Sequence, residues 1–394
     1  MSARLSRNTT VLLIIATLIA ATLIVAGCGT SATTTTASIT ASTAAPTTVS
    51  SETTTTAAPT TSSESTTTTA AAVQNTKIHK IGIVAPEVAK DFGWNKQGVQ
   101  GAKDLAASLN VPVVVNDGAS YGDISQILRQ LQQGGADFLI AFAAGYNTVG
   151  ATVAQQLKVP TIVISAPNSG NVPGLSQDLE TDGQDAGYLA GIAAAKTTKT
   201  KTVGIVISAD EENFFKFSGG FAAGARATDP SIKILFAQVG QAAYADAAAA
   251  KRTAQSIIAG GADVVFGCGD GSSFGYIQAV ESATPPSGAD KVWFVDVIGD
   301  KTSLDTKGVL LTSAMFNFAP GFKEAADALN NGTFGQKSVY LTLENGGLGI
   351  LQTKFISDAV WTEIQTAKAD IISGKITVPV ATTKAELDPI MKGQ

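Results

Sequence analysis

One loop of the chain gathers residue types that could do chemistry. The segment Gly260–Ser273, GGADVVFGCGDGSS, leads from a short apolar stretch into glycines, a cysteine, an acid and two serines. Three kinds of site fit such a loop: a phosphate cradle, a hydrolase nucleophile turn, or the rim of a binding cleft. The first two require partner residues elsewhere in the sequence.

Those partners are lacking. Residues 271–275, GSSFG, match the GxSxG nucleophile pattern, but the histidine base of that fold follows the nucleophile, whereas the single histidine, His79, precedes it. The glycines around Asp270 match neither GxxxxGK[ST] nor GxGxxG. One histidine and two distant cysteines exclude the usual nitrogen and sulfur metal-ligand sets, although scattered carboxylates could hold calcium or magnesium. We therefore expect no enzymatic activity, no cofactor and no metal.

A binding cleft requires less of the loop. Glycines let backbone amides approach a neutral polar ligand closely. Asp270, Ser272 and Ser273 are also suited to capping the helix that follows. The loop sequence alone leaves both interpretations open.

Similar residue types stand at the ends of other predicted strands. They are Asp91, Trp94 and Asn95 after the first strand, Tyr146 and Asn147 after the third, Phe214 to Phe217 in the second half, and Asp296 at the end of VWFVD. Aromatic rings stack on flat ligands, while Asn and Asp satisfy base edges or sugar hydroxyls. Their joint placement predicts a cleft for a flat, polar, hydroxylated small molecule.

The elements that carry these residues alternate in type. From Lys80 onward, apolar runs such as KIGIV, VPVVV, ADFLIAF and PTIVIS alternate with longer segments of helical period, which predicts βαβ units and parallel sheets. The pattern recurs, because IGIV at 81–84 matches VGIV at 203–206 and GGAD at 134–137 matches GGAD at 260–263. Ligands of open α/β sheets bind outside the carboxyl ends of the strands. Two doubly wound lobes that face each other therefore predict one cleft between them.

The first 76 residues differ in character. A short basic segment and an apolar run end in VAGC, Val25–Cys28, which resembles the lipobox of bacterial lipoproteins. Residues 1–27 are thus predicted to be a signal peptide and Cys28 to be lipidated, with an uncleaved membrane anchor as the alternative. Residues 28–76, nearly all Thr, Ser and Ala, are predicted to be a disordered tether. Both alternatives place the folded part on the extracytoplasmic face of the cell membrane. If Cys28 is lipidated, Cys268 has no disulfide partner and is predicted to be a buried thiol.

Charge excludes one class of partner. The net charge is −5, and loss of Arg4 and Arg7 with the leader changes it to −7. A nucleic-acid backbone binds basic surfaces. No nucleic-acid partner is therefore expected.

Six motifs resemble those of the basic membrane protein family, the lipoprotein substrate-binding components of ABC importers that include purine-nucleoside receptors. They are GQDAGYLAG at 183–191, FSGGFAAG at 217–224, GADVVFGCGDGSSFGYIQA at 261–279, VDVIGD at 295–300, LLTSAM at 310–315 and ENGGLGI at 344–350. The resemblance extends from about Lys80 to the C-terminus.

The resemblance implies an α/β architecture, the type I periplasmic-binding-protein fold. Two doubly wound parallel-sheet lobes, residues 77–181 plus 318–345 and residues 182–317 plus 346–394, are joined by a hinge of three crossovers near Thr181, Phe318 and Asn345. The resemblance also implies a monomeric receptor that closes on a nucleoside, a purine nucleoside above all, and delivers it to an ABC permease in the membrane.

Individual residues take family roles under this resemblance. Asn95 takes the place of the base-recognising asparagine, Phe217 of the stacking phenylalanine, Gly269 and Asp270 of the glycine loop, and Asp296 of the ribose-binding aspartate.

The chain departs from the family pattern in three places. Trp94 replaces a phenylalanine, Phe316 replaces a lysine, and Tyr146 and Asn147 stand where an acidic residue is usual. The base preference, or the ligand class itself, is therefore open. A receptor for a sugar or a signalling molecule and a surface lipoprotein without a small-molecule ligand stay as alternatives.

Overall fold

The computed structural model describes residues 78–167 and 169–394. The predicted signal peptide, the lipidated Cys28 and the tether lie outside the described residues. In the part of the chain that is described, no helix is both long and apolar enough to cross a bilayer.

The described residues form strands that fall into two sheets. In chain order the strands are β1 (Ile81–Val84), β2 (Val113–Asn116), β3 (Phe138–Ala141), β4 (Thr161–Ile164), β5 (Ser176–Thr181), β6 (Thr202–Ile207), β7 (Lys233–Gln238), β8 (Val264–Cys268), β9 (Trp293–Ile298), β10 (Leu310–Phe316), β11 (Val339–Leu341) and β12 (Leu348–Ile350). The first sheet has the spatial order β11-β5-β4-β3-β1-β2 and the second β12-β10-β9-β8-β6-β7. Each sheet has six strands, and all neighbouring strands are parallel except β10 and β12.

Helices connect and cover the strands. They are α1 (Trp94–Leu109), α2 (Ser125–Gln133), α3 (Asn147–Leu157), α4 (Gly183–Thr197), α5 (Glu212–Thr228), α6 (Ala247–Ala259), α7 (Ser273–Glu281), α8 (Ala319–Asn330), α9 (Asp358–Ile372) and α10 (Lys384–Lys392). Strands β1, β3, β4 and β8 are buried along their whole length, as expected for parallel strands with helices on both faces. The predicted two-lobed, doubly wound fold is confirmed.

The repeated GGAD sequence has the same structural role in both lobes. Asp137 accepts hydrogen bonds from the backbone N–H groups of His79 and Lys80, both at 3.0 Å. Asp263 likewise accepts from Lys199 N at 2.6 Å and Thr200 N at 3.1 Å. Each aspartate thus fixes the chain just before the first strand of its lobe. The second glycine of each motif has a positive φ, +89° and +102°, which favours glycine at this turn.

The chain passes between the two sheets at three places. These crossovers follow β5, β10 and β11. After the first crossover, α4 packs against α5 of the second lobe. After the second, α8 returns to pack against α1 and β11 of the first lobe.

Helices α4 and α5 approach each other backbone to backbone. A Cβ atom added to Gly220 would lie 1.9 Å from the carbonyl oxygen of Gln184, and one added to Gly187 would lie 2.3 Å from that of Phe217. The glycines of GQDAGYLAG and FSGGFAAG therefore permit this crossing. The crossing fixes the position of the first turns of α5, which carry residues of the site described next.

Candidate functional site

A cleft of about 150 Å³ lies between the two lobes, at the carboxyl ends of strands from both sheets. Six of its lining residues are aromatic: Trp94, Tyr121, Phe214, Phe217, Tyr244 and Phe316. Three have acidic or amide side chains: Glu211, Asn213 and Asp270. The remaining lining residues are small or aliphatic: Pro86, Ala143, Ala144, Gly145 and Ile298.

Stacked rings from both lobes build the walls of the cleft. In the first lobe, Trp94 stacks on Phe142 with ring centroids 4.8 Å apart. In the second, Phe217 stacks on Phe316 at 5.0 Å. The Trp94 and Phe316 rings meet edge to face, with centroids 6.3 Å apart, so the two walls are in contact at this point. Rings held in this way by their neighbours are suited to hold a flat ligand between them.

Two tyrosines meet across the lobes at the cleft. Tyr121 stacks on Tyr244 with centroids 5.6 Å apart and planes inclined by 19°. Tyr121 is 47 % exposed, and its hydroxyl donates to Glu87 at 3.4 Å. Because this pair joins a loop of each lobe, the structure represents a closed form of the cleft.

Asp270 reaches the cleft from the loop between β8 and α7. It is 6 % exposed, and the Trp94 backbone N–H donates to its Oδ1 at 3.4 Å. Burial raises the pKa of Asp270 well above its usual range, and the nearby Asp91 carboxylate raises this pKa further. A ligand group that donates a hydrogen bond or carries positive charge would offset the cost of this burial.

Glu211 and Asn213 lie where α5 begins. The Glu211 side chain caps the helix by accepting from Phe214 N at 3.2 Å, and Asn213 Nδ2 donates to Glu211 Oε1 at 3.4 Å. Asn213 also accepts from Thr181 Oγ1 at 2.6 Å, a bond that joins the two lobes. Burial raises the pKa of Glu211 to about 7.

The raised pKa of Glu211 predicts a pH dependence of stability. The folded state retains a proton at this group from its ordinary pKa of 4.5 up to about 7, so the free energy of unfolding falls as pH rises through this window. Since one pKa unit corresponds to about 1.4 kcal/mol and partial exposure screens the effect, the loss is on the order of 1 to 2 kcal/mol. Urea unfolding at pH 5 and pH 8 measures this fall in the free energy of unfolding. We expect a smaller fall in Glu211→Gln than in the unmutated protein, and an equal fall in both would contradict the assignment to Glu211.

Four of the predicted site residues line the cleft: Trp94, Phe217, Asp270 and Phe316. Asp91 and Asn95 lie behind them. The Asp91 carboxylate accepts from the backbone N–H groups of Gly93, Asn95 and Lys96 at 2.8 to 3.1 Å, and from Asn95 Nδ2 at 2.8 Å. Asn95 Oδ1 accepts from Glu87 N at 3.2 Å. In this closed form, both side chains secure the start of α1.

The other predicted site residues are not among those that line the cleft. The Tyr146 hydroxyl donates to the Ser120 carbonyl, and Asn147 Nδ2 donates to the Ser165 carbonyl at 3.1 Å. Gly269 lies against Ser208 and Tyr276. Asp296 is fully buried.

Asp296 lies beneath the cleft, in contact with a buried lysine. Lys301 Nζ is 2.6 Å from Asp296 Oδ2, a close ion pair whose angle does not make it a well-directed hydrogen bond. Ser273 Oγ donates to Asp296 Oδ1 at 2.9 Å. Ser272 Oγ donates to the Ala243 carbonyl at 2.6 Å. Neither serine of the GSSFG motif is therefore directed at the cleft.

Several lining residues were not predicted from the sequence. Tyr121 and Tyr244 lie in the loops after β2 and β7, which are equivalent strands of the two lobes. Because the two loops occupy equivalent places in the two lobes, the sequence repeat could have predicted that Tyr121 and Tyr244 lie close together. Ile298 lies two residues beyond Asp296, at the end of β9. Ile298 lines the cleft, and Asp296 does not. Glu211 and Asn213 stand immediately before the predicted Phe214 to Phe217 segment.

Solved structures with the same fold include solute-binding proteins. A protein of this kind from Aeropyrum pernix K1 gives a TM-score of 0.66 at 18% identity, covering 80% of this chain and 96% of that chain. Another solute-binding protein, from Conexibacter woesei, gives a TM-score of 0.62 at 19% identity, covering 77% of this chain and 99% of that chain. At such identities the similarity shows the type I fold.

Curated relatives include a transport protein and a regulator. The "ABC transporter nucleoside-binding protein BmpA" of Lactococcus lactis is 35% identical over 208 residues, which are 50% of this chain and 58% of that protein. This chain thus spans little more than half the length of that relative. "Transcriptional activator protein med" of Bacillus subtilis is 25% identical over 273 residues, 68% of this chain and 81% of that protein.

A family model settles the classification. The model described as "ABC transporter substrate-binding protein PnrA-like" matches residues 78–382, which include the strands of both sheets and every residue that lines the cleft. The family is one of transport receptors and not of enzymes. The chain belongs to the family of PnrA-like ABC transporter substrate-binding proteins.

Proposed function

We propose that this protein is the extracytoplasmic receptor of an ABC importer and captures a nucleoside, a purine nucleoside above all, in the cleft between its lobes. The observation that carries the proposal is the wall of stacked aromatic residues at the carboxyl ends of the strands of both sheets. The name of the Lactococcus lactis relative supports a nucleoside.

A flat base would lie between Trp94 on one side and Phe217 on the other, with Phe316, which contacts both rings, closing one edge of this space. Asp270 and Asn213 are the groups within the cleft that would bond its polar edges. Closure of the lobes around the three crossovers would exclude water from these contacts. With the ligand enclosed, the Tyr121–Tyr244 stack would cover it.

The anchor and the tether would allow delivery of the ligand to a permease. Lipidation at Cys28 would hold the protein at the extracytoplasmic face of the membrane, and the Thr-rich tether would let the folded part, as a monomer, reach a membrane permease. A flexible coil of about 45 residues spans roughly 35 to 40 Å.

A sugar is the less favoured ligand in this cleft. Sugar hydroxyls require many hydrogen-bonding partners, whereas most of the residues that line the cleft in the described part of the chain are aromatic or aliphatic. Nucleosides place a large apolar ring face in the same space.

A thermal-shift panel tests the proposal. The purified protein, freed of carried-over ligand by unfolding and refolding, is heated with purine and pyrimidine nucleosides, free bases, ribose and other sugars. A ligand at 100 times its dissociation constant adds about 2.7 kcal/mol, which raises the melting temperature by several degrees. We expect this rise with nucleosides and a change in the emission of Trp94, which Trp94→Phe removes. A rise with sugars alone, or with nothing, refutes the proposal.

A further inference from the structure

The cleft is acidic, with no basic side chain in its lining. Of the residues described there, Glu211 and Asp270 are the ionisable acids, and none is lysine, arginine or histidine. The two nearest buried lysines already have partners. Lys301 pairs with Asp296 at 2.6 Å, and Lys216 pairs with Glu212 at 2.7 Å and Glu180 at 3.4 Å.

Asp270, which lines the cleft, retains bonding capacity on its carboxylate. Within the described residues, its carboxylate accepts a single hydrogen bond, the long one of 3.4 Å from Trp94 N. That leaves Oδ2 without a partner on a side chain that is 6 % exposed. A buried carboxylate in this state requires a donor or a cation to offset its desolvation.

Aromatic rings surround the space in front of this carboxylate. Trp94, Phe217 and Phe316 form the walls, and Tyr121 and Tyr244 lie at the contact between the lobes. The faces of such rings attract cations, and a cage of rings is how proteins recognise methylated ammonium groups. The carboxylate and the aromatic rings therefore both favour a ligand that carries a positive charge.

We propose that the ligand of this cleft is a flat molecule that carries a positive charge, held between the aromatic rings with its charge against Asp270. The inference rests on the proposed function, since it assigns the charge of the ligand for which the protein is a receptor. Methylated or protonated nitrogen heterocycles, including charged nucleosides, are the matching chemical class.

The charge of the ligand determines how binding depends on pH. Asp270 must be ionised to attract a cation, and it faces the carboxylates of Asp91 and Glu87, which oppose its ionisation, and Lys301, which favours it. Glu211 also loses its proton near pH 7. A permanent cation should therefore bind more tightly at pH 8 than at pH 5, whereas a neutral ligand gains nothing from this ionisation.

Two matched pairs of probes separate charge from shape. 1-Methyladenosine and N6-methyladenosine are isomers, of which the first is a cation at neutral pH and the second is neutral. 1-Methylnicotinamide is a compact permanent cation, and nicotinamide is its neutral counterpart. Calorimetric titration at pH 7 is expected to give the cationic member of each pair roughly tenfold or more higher affinity. Asp270→Asn, which retains the shape of the side chain, should remove most of this preference without lowering the melting temperature.

The outcomes distinguish this inference from the receptor function. Preference for 1-methyladenosine supports both. Equal or tighter binding of N6-methyladenosine overturns the charge assignment and leaves a nucleoside receptor. Binding of 1-methylnicotinamide alone supports a cationic ligand and removes nucleosides. Failure of all four probes overturns both. A preference for the cations that persists unchanged in both Asp270→Asn and Glu211→Gln overturns the assignment of charge recognition to this cleft, because the charge would then be recognised elsewhere.

Discussion

Gly220→Ala is expected to lower the free energy of unfolding by about 3 kcal/mol or more. The added methyl group would lie 1.9 Å from the carbonyl oxygen of Gln184 and 2.6 Å from its carbonyl carbon. These are backbone atoms of α4, so no side-chain rotation relieves the overlap and the two helices must separate. Urea unfolding followed by circular dichroism measures the loss.

The adjacent residue provides the matched control. A Cβ atom on Gly219 would lie 3.1 Å from the Ala381 Cβ atom and 3.5 Å from the end of Ile390. Alanine is favoured over glycine within a helix by up to about 1 kcal/mol, which offsets this mild crowding. Gly219→Ala should therefore change stability by less than about 1 kcal/mol. Equal losses in the two variants would show that the close crossing of α4 and α5 does not limit stability.

Lys301→Met is expected to cost about 3 to 5 kcal/mol, because it leaves the Asp296 carboxylate buried without its cation. Both side chains of this pair are fully buried. Lys301 Nζ also donates to the Val297 carbonyl at 3.2 Å, so the loss includes a hydrogen bond. The free energy of unfolding, measured in urea, reports it.

A double variant separates the charge from the shape of this pair. Asp296→Asn combined with Lys301→Met removes both charges, and we expect it to recover most of the stability that Lys301→Met loses. If the double variant is as unstable as Lys301→Met alone, packing of the lysine chain, and not the ion pair, is what stabilises this part of β9.

The elements of the fold could be predicted because local pattern determines them. Strands such as FLIA in β3 and VVFGC in β8 are apolar throughout, and parallel strands buried on both faces require this. The second GGAD sequence also locates an equivalent structure, since Asp263 repeats the contacts of Asp137. Both features depend on residues close in sequence or on a repeated unit.

The direction of individual side chains could not be predicted in the same way. Asp91 follows a strand, as a ligand-binding residue would. Its carboxylate, however, accepts hydrogen bonds from backbone N–H groups at the start of the next helix, α1. Asp296 and Ile298 lie two residues apart at the end of β9, and only the exact end of the strand decides which of them faces the cleft. The contact of Tyr121 with Tyr244 depends on closure of the lobes.

Phe316 shows how one substitution changes the chemistry of the cleft. The family resemblance implies a lysine at the position of Phe316, and the structure places the Phe316 ring against Phe217, Trp94 and Phe318. The ring extends the aromatic wall where a cation was expected. With the positive charge absent from this position, Glu211 and Asp270 determine the charge of the cleft.

The most direct test is a crystal structure of the protein with the ligand that gives the largest thermal shift. We expect electron density for a flat ring between Trp94 and Phe217, with a nitrogen of the ligand within hydrogen-bonding distance of the Asp270 carboxylate. Density for the ligand outside this cleft, or a closed cleft that contains only water and protein side chains, would contradict the assignment of the cleft as the binding site.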